Sequence, residues 1–594
     1  MALRSRLHVS KDEVVADNGI VAASHPLSSE AGLEMLKQGG NAVDAAVATG
    51  FVGCVVEPMM TCIAGCGFML IHLAQEGRSV AIEFSPRAPK AATPDMYRVE
   101  ESAIEEIGIQ SVRFSENIYG YKSISVPGTV AGFCLAHDRY GSLPLEQVME
   151  PAIHLAEEGF EVDWYTAVTI ATEMDLVVRF PELASILLTK GFPPKIGDTL
   201  VQRDLGQTLR AIARKGPDAF YRGEIAAAMV EEVQSRGGLL TRDDLESYQA
   251  LDVEPVGVSY RGYRVLGVPA PNGGTTALET LSVLNNMDIA APGHNSVGAL
   301  HLFIEGTRHA FADRYRFLGD PDYVSTPLRG LLSPEYGASL ARNLDRERAG
   351  LEGEGETPPW LAYAENAIHD PWPFDRAPFD VTQDRQDRSF DDSAVQEKRY
   401  IPSGPSHPSS TTHLGVIDKD RNMVSCTHTA VNAFGSRVAC PGTGVIFADG
   451  MLWFNPSPGR ANSIAGFKRP LVNMSPLMVL REGKPFMSIG APGGRKIINA
   501  VTQVVMNVVD HKLGMQEAIA APRVDASGKD TVYHPDLEEE VVEGLRARGH
   551  RMVLGPEDYE RHSFARPTGI LVNLETGRLH GGADVLRRAE AWGY

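Results

Sequence analysis

The chain predicts helices mixed with strand pairs, the elements of an α+β fold, on three observations. Amphipathic helical patterns dominate from Pro127 to about Gly237. Runs with period-2 alternation come in adjacent pairs joined by short turns. At Gly273-Gly274 and again at Gly493-Gly494, a strand-like run passes through a glycine pair into a helix. At 594 residues the chain exceeds one ordinary domain but not one large layered enzyme.

In chain order, "SSEAGLEMLKQGG" reads as a helix, with Ser28 or Ser29 placed to cap its start and Gly39-Gly40 its end. Asn41 caps a second, "AVDAAVATGFVGCVVEP", which Pro58 closes. "GFMLIHLAQEGRSVAIEF" reads as a strand pair turning at Glu76-Gly77. "DLGQTLRAIARKGPDAFYRGEIAAAMVEEVQSRGG" is split at Gly216-Pro217 into two helices. "YRGYRVLGVPAPNGGTTALETLSVL" gives a strand, a glycine turn and a helix. From about 351 to 410, stretches such as "EGEGETPPW" and "FDRAPFDVTQDRQDRSFDDSA" combine Pro with acidic residues and hold no period, which predicts an exposed, poorly ordered connection. Strands then return, and "KIINAVTQVVMNVVDHKL" forms a helix after the second glycine pair.

Composition narrows the function. With 43% apolar and 22% charged residues the chain reads as soluble and globular, and a net charge of -20 argues against nucleic acid or an anionic membrane as partner. The six cysteines (Cys54, Cys62, Cys66, Cys134, Cys426 and Cys440) form no C-x-x-C pair and are too sparse for a disulfide scaffold, so they read as reduced, mostly buried thiols. "MALRSRLHVSKDEVVADNG" has no apolar core of a signal peptide, and the longest apolar run, Ala45 to Val56, is too short to span a bilayer. The expected location is cytoplasmic, with no cofactor and no metal.

The informative stretch is "HPSSTTHLGVIDKDRNMVSCTHT", residues 407 to 429. "TTHLGVI" and "MVSCTHT" are strand-like and flank the loop "DKDRN", centred on Asp420, so antiparallel pairing sets opposite each other residues whose numbers sum to 840. Thr411 then faces Thr429, and His413 faces Thr427. Alternation assigns Leu414, Val416, Val424 and Cys426 to the core and gathers Thr411, His413, Ser425, Thr427 and Thr429 on the other face. Directly opposed Cβ atoms lie about 4.5–5.5 Å apart, close enough for the two threonines to hydrogen-bond.

One reading is a Thr-rich strand of high β-propensity and nothing more. A calcium loop fails, because Met423 and Thr429 stand where Gly and Glu are needed. His413 and His428 point to opposite faces, which argues against a shared metal. The third reading is a Thr nucleophile released by cleavage before Thr411. Its new α-amine, of pKa about 7.7–8.0, would be the base for its own hydroxyl. Acyl transfer also needs oxyanion donors, and Gly493-Gly494 before a helix exposes backbone N–H groups suited to that.

At these residues the chain resembles the γ-glutamyltranspeptidase (glutathione hydrolase) family of N-terminal-nucleophile hydrolases. The likeness runs almost the whole length, through "GGNAVDAAVATGF", "VVEPMM", "GCGFML", "SVPGTVAGF", "GPDAFYRGEIA", "GGLLTRDDLESY", "TTHLGVIDKDRN", "PGTGVIF", "KRPLVNMSP", "GAPGGRKIINAVTQVVMNVVD" and "AIAAPRVD" in family order. It implies a four-layer αββα sandwich and self-cleavage between Ser410 and Thr411. The products are a large subunit, 1–410, and a small one, 411–594, held as an αβ heterodimer, with a higher oligomer compatible. It carries the nucleophile onto Thr411, its hydrogen-bond partner onto Thr429, and the oxyanion amides onto Gly493 and Gly494.

The chain departs from the family pattern where the substrate is gripped. The arginine for the α-carboxylate falls at Ser85, with Arg87 two residues on; the Asn that holds the glutamate falls at Val431, beside Asn432. The acidic residue for the α-amine falls at Trp453, and the paired serines are Val472 and Asn473. Losing two charged hydrogen bonds costs roughly 3–6 kcal/mol, or about 10²–10⁴ in affinity. The stretch from Phe454 to Lys468 is also shorter than many lid loops of the family. The expectation is therefore a Thr-dependent amidohydrolase or acyltransferase acting on a small amide or peptide with a non-glutamyl acyl group, of glutaryl or oxamate type, its carboxylate met by Arg87, Arg437 or Arg495. The alternatives are an ordinary γ-glutamyltransferase whose contacts have moved to Asn432 and Asn473, and a binding protein that keeps the fold without turnover.

Overall fold

The computed structural model describes residues 9–99, 112–350, 363, 369–372, 410–528, 530–557 and 563–594. Apart from 363, 369–372 and 410, the connection expected to be poorly ordered lies outside the described residues.

Two seven-stranded sheets, antiparallel throughout, carry the molecule. The first runs Glu590–Gly593, Ile20–Ala23, Thr412–Ile417, Met423–Thr429, Cys66–Leu73, Arg78–Phe84, Leu251–Val253. The second runs Val14–Ala16, Leu579–Ala583, Thr568–Val572, Lys484–Gly490, Leu477–Arg481, Tyr263–Gly267, Val256–Tyr260. Alternation along the strands explains how they stack. Val21, Leu414, Val416, Val424, Cys426, Met69 and Ile71 pack with the helices Pro26–Lys37, Ala42–Val56 and Thr129–Tyr140. Their neighbours Ile20, Ala22, Phe68, Leu70, Ile417 and Met423 pack instead with Met478, Leu480, Ile570 and Leu579 of the second sheet. A third apolar layer joins that sheet to the helices Gly274–Leu284, Val297–Phe317 and Lys496–Val509. The result is the αββα order.

The hairpin register agrees residue for residue with the sequence argument: Thr412 pairs His428, His413 pairs Thr427, and Val416 pairs Val424. The hydroxyl-bearing face is not solvated, however. It is buried against the second sheet, where Ser488 Oγ donates to Val424 O at 3.0 Å and Ser425 Oγ to Ile489 O at 3.3 Å.

Two local expectations need correction. The first helix starts at Pro26, and its cap is His25, whose Nδ1 accepts from Leu27 N at 3.2 Å; Ser28 and Ser29 lie inside it. Pro fits the first helical turn because its missing N–H is one that turn leaves unpaired. The run expected as two helices is three, Arg203–Lys215, Asp218–Tyr221 and Glu224–Ser235, because Gly223 adds a second break after Gly216-Pro217. The Asn41 cap stands as expected, with a reciprocal capping box to Asp44.

Candidate active site

Thr411 lies one residue before its strand begins, opposite the end of the partner strand, and donates its hydroxyl to Thr429 Oγ1 at 3.0 Å. Thr429 Oγ1 also accepts from Val431 N at 2.8 Å. Both threonines are buried. Thr411 holds φ +150°, a region that side-chain-bearing residues rarely occupy and that costs about 1–3 kcal/mol. The strain falls on the residue that follows the Ser410–Thr411 peptide bond. Ser410 is pinned beside it, its Oγ donating to Met60 O at 2.7 Å. Thr412 Oγ1 donates to Glu57 Oε2 at 3.0 Å, and Arg587 Nη1 reaches Thr411 O at 3.4 Å.

The loop after Thr429 is wound left-handed: Val431, Phe434 and Arg437 have φ of +85°, +60° and +63°. A β-branched residue at that angle is sterically disfavoured. The surroundings hold it there. Asn432 N donates to Asp449 Oδ1 at 3.0 Å and Asn432 Nδ2 to Asp449 Oδ2 at 2.8 Å. Ser436 Oγ donates to Phe447 O at 3.0 Å, and Arg437 pairs with Glu173 at 2.7 Å while lying over the Tyr119 ring. Burial pushes the Asp449 carboxyl up to about 7, against the pull of Arg437 and the Asn432 donors.

The glycine pair reaches the same end of the sandwich. The strand Lys484–Gly490 finishes against the start of the strand Thr412–Ile417, so tightly that a Cβ on Gly490 would meet His413 Nδ1 at 2.2 Å. Gly493 and Gly494 then take φ of +145° and +62° before the helix Lys496–Val509, and a Cβ on Gly493 would come within 2.5 Å of Ala565 Cα. The two histidines do lie on opposite faces. His413 bonds Thr427 Oγ1 at 2.8 Å, His428 bonds Thr61 Oγ1 at 2.7 Å, and burial draws both imidazoles down to about 3, so neither is positively charged near neutral pH.

The substrate candidates fare unequally. Phe84 pairs Gly67, which pairs His428, which pairs Thr412, so Arg87 lies just past the same sheet end. Its Nη1 donates to Phe467 O at 3.0 Å and its guanidinium lies over the Phe467 ring, with no carboxylate partner among the described residues. Arg437 is committed to Glu173, and Arg495 Nε donates to Ser527 Oγ at 3.2 Å. Asn432 is committed to Asp449, and Asn473 Oδ1 accepts from the buried Arg314 at 2.9 Å. Trp453 ends the short turn Gly450–Trp453 and packs, half-buried, on the apolar cluster that contains Val431, Leu452, Val472 and Met474. Three of the departures from the family pattern, Val431, Val472 and Trp453, thus belong to one apolar cluster. Sequence reasoning missed Asp449, Glu57 and Arg587; each sits far along the chain from its partner or in a turn, where no periodic signal marks it.

A family model described as gamma-glutamyltranspeptidase matches residues 28–594. The "Acylase ACY 1 proenzyme" of Pseudomonas sp. (strain SE83) is 37% identical over 548 residues, 92% of this chain and 89% of that protein. The "Glutathione hydrolase proenzyme" of Escherichia coli (strain K12) is 33% identical over 589 residues, 96% of this chain and 91% of that one. Among solved structures, a cephalosporin acylase from Bacillus halodurans superposes with TM-score 0.82 at 28% identity, covering 100% of this chain and 99% of its own.

Proposed function

The chain belongs to the γ-glutamyltranspeptidase family and is an amide hydrolase or acyltransferase of it, and from that premise we propose that it cuts itself before Thr411 and then transfers a non-glutamyl, carboxylated acyl group. In the first step the Thr411 hydroxyl oxygen adds to the Ser410 carbonyl carbon. The C–N bond breaks as the nitrogen takes a proton, and water hydrolyses the ester. Ser410 is left with a carboxylate and Thr411 with a free α-amine. The hydrogen bond from Thr411 to Thr429, together with the strained φ at Thr411, supports this reading.

In turnover the α-amine takes the proton of its own hydroxyl as Oγ1 adds to the substrate carbonyl. The Gly493 and Gly494 amides meet the oxyanion, the departing amine takes the proton back, and water or a second amine releases the acyl group.

The observation that carries the acyl specificity is the apolar cluster holding Val431, Val472 and Trp453 where the family pattern is polar, with Arg87 a cation that makes no ion pair among the described residues. Those side chains offer a substrate ammonium no counter-charge, whereas Arg87 can meet a distal carboxylate. Acylases among the relatives and structural neighbours favour the same reading. The reading with a γ-glutamyl donor relies on Asn432 and Asn473, whose side chains are already engaged.

A panel of anilides differing only in the acyl group tests the proposal: glutaryl should be cleaved faster than γ-glutamyl, and the reverse order would overturn it. Six free, buried cysteines support a cytoplasmic location as part of the same proposal, and fractionation would check it.

A further inference from the structure

Asp449 is wholly buried. Each of its oxygens takes one hydrogen bond from Asn432, one from the backbone and one from the side-chain amide. Asp449 N also reaches Ala430 O at 3.4 Å, and Ala430 N donates to Met60 O at 3.0 Å, the carbonyl that also accepts from Ser410. Between Ala430 and Asn432 stands Val431, whose left-handed backbone would relax if released and whose N–H is bonded to Thr429. Hydrogen bonds, bridged by the Val431–Asn432 peptide link, therefore connect Asp449 to Thr429 and Thr411.

We propose that Asp449 is a positioning residue of the acyl-transfer site: by clasping Asn432 with both oxygens it holds Val431 in its strained conformation and keeps the Val431 N–H on the hydroxyl that receives the Thr411 proton donor. This rests on the reading of Thr411 as nucleophile. The clasp is strongest when Asp449 is ionised, because a protonated oxygen is a poor acceptor and its proton faces Asn432 donors. The charged or titratable groups facing Asp449 are Arg437, Tyr97, Cys62 and Cys66, and Arg437 is itself neutralised by Glu173. Of these only Arg437 carries charge near neutral pH, and it favours the ionised clasp. Below about pH 7 the clasp takes up a proton and the loop loosens.

The test is the acid limb of log kcat/KM against pH, measured with an acyl anilide. Both the Thr411 amine and Asp449 must lose a proton, so between roughly pH 5 and 7 the limb should approach a slope of about two. Asp449→Asn should lower kcat about ten- to hundred-fold, the value of one charge-assisted hydrogen bond, and reduce the slope to about one. Asn432→Ala removes one donor to the carboxylate, so it should lower kcat and move the Asp449 limb to higher pH. If Asn432 touched substrate instead, KM would rise and the limb would stay.

A wild-type slope of one, or an unchanged slope in Asp449→Asn, overturns the proposal. If that variant does not fold, the wild-type slope and Asn432→Ala decide. Turnover retained by Thr411→Ala would overturn the nucleophile reading instead, and separately.

Discussion

Replacing Thr429 by Val keeps the β-branched shape and deletes a single oxygen. That oxygen is buried, accepts the Thr411 hydroxyl at 3.0 Å and accepts Val431 N at 2.8 Å. Without it the Val431 N–H has no partner, which costs about 1–3 kcal/mol, and the Thr411 hydroxyl loses an acceptor worth about 0.5–1.5 kcal/mol. Val431 at φ +85° already stores about 1–3 kcal/mol, so its backbone gains by relaxing away from Thr411. If the whole loss, about 1.5–4.5 kcal/mol, falls on alignment of the nucleophile, Thr411 chemistry slows roughly 10- to 2000-fold. The measurements are the fraction of chain cut before Thr411 over time, on a denaturing gel, and kcat with an acyl anilide. Thr429→Ser keeps the oxygen and should stay within about threefold of wild type on both. If the Val and Ser variants behave alike, the hydrogen bond does not align the nucleophile and the reasoning fails.

Arg87→Met should cut kcat/KM for a glutaryl anilide about ten- to hundred-fold and leave a butyryl anilide unaffected; equal losses would remove Arg87 from acyl recognition. Gly493→Ala places a Cβ 2.5 Å from Ala565 Cα at φ +145°, so the turn must shift and kcat should fall about 10²–10³-fold; a change under about twofold would mean the oxyanion lies elsewhere. Glu279 is wholly buried next to Asp313, and burial plus that neighbouring charge hold its carboxyl well above the ordinary range. The folded state therefore keeps a proton the unfolded state releases, so its contribution to stability is complete below the ordinary carboxylate pKa and fades as pH climbs toward the raised value. Glu279→Gln, neutral at every pH, should flatten the decline of the unfolding midpoint with rising pH; an unaltered pH dependence would show that Glu279 does not titrate on unfolding.

Residues 411 to 429 show how far sequence reasoning reached. Period-2 alternation and a five-residue loop were enough to give the pairing of Thr412 with His428, because a one-residue slip would turn every apolar side chain to the wrong face. The same logic put the two histidines on opposite faces. It did not reveal that the hydroxyl face is buried, since a strand cannot report what a second sheet will lay across it. Nor could it sort Arg87 from Arg437: both read as free cations in the sequence, and only packing delivers Glu173, 264 positions away, to one of them.

What the sequence determined by itself was local and periodic: the helices, the hairpin and its register, the glycine pair, and a Thr–Thr contact between residues 18 apart. Tertiary structure alone decided which polar groups are engaged and which are left for a substrate. Asp449 on Asn432, Arg314 on Asn473 and Arg587 at Thr411 join segments up to 176 residues apart. Such contacts follow from how four layers stack, because a buried polar atom bonds whichever partner the packing brings within reach, and no spacing along the chain encodes that distance.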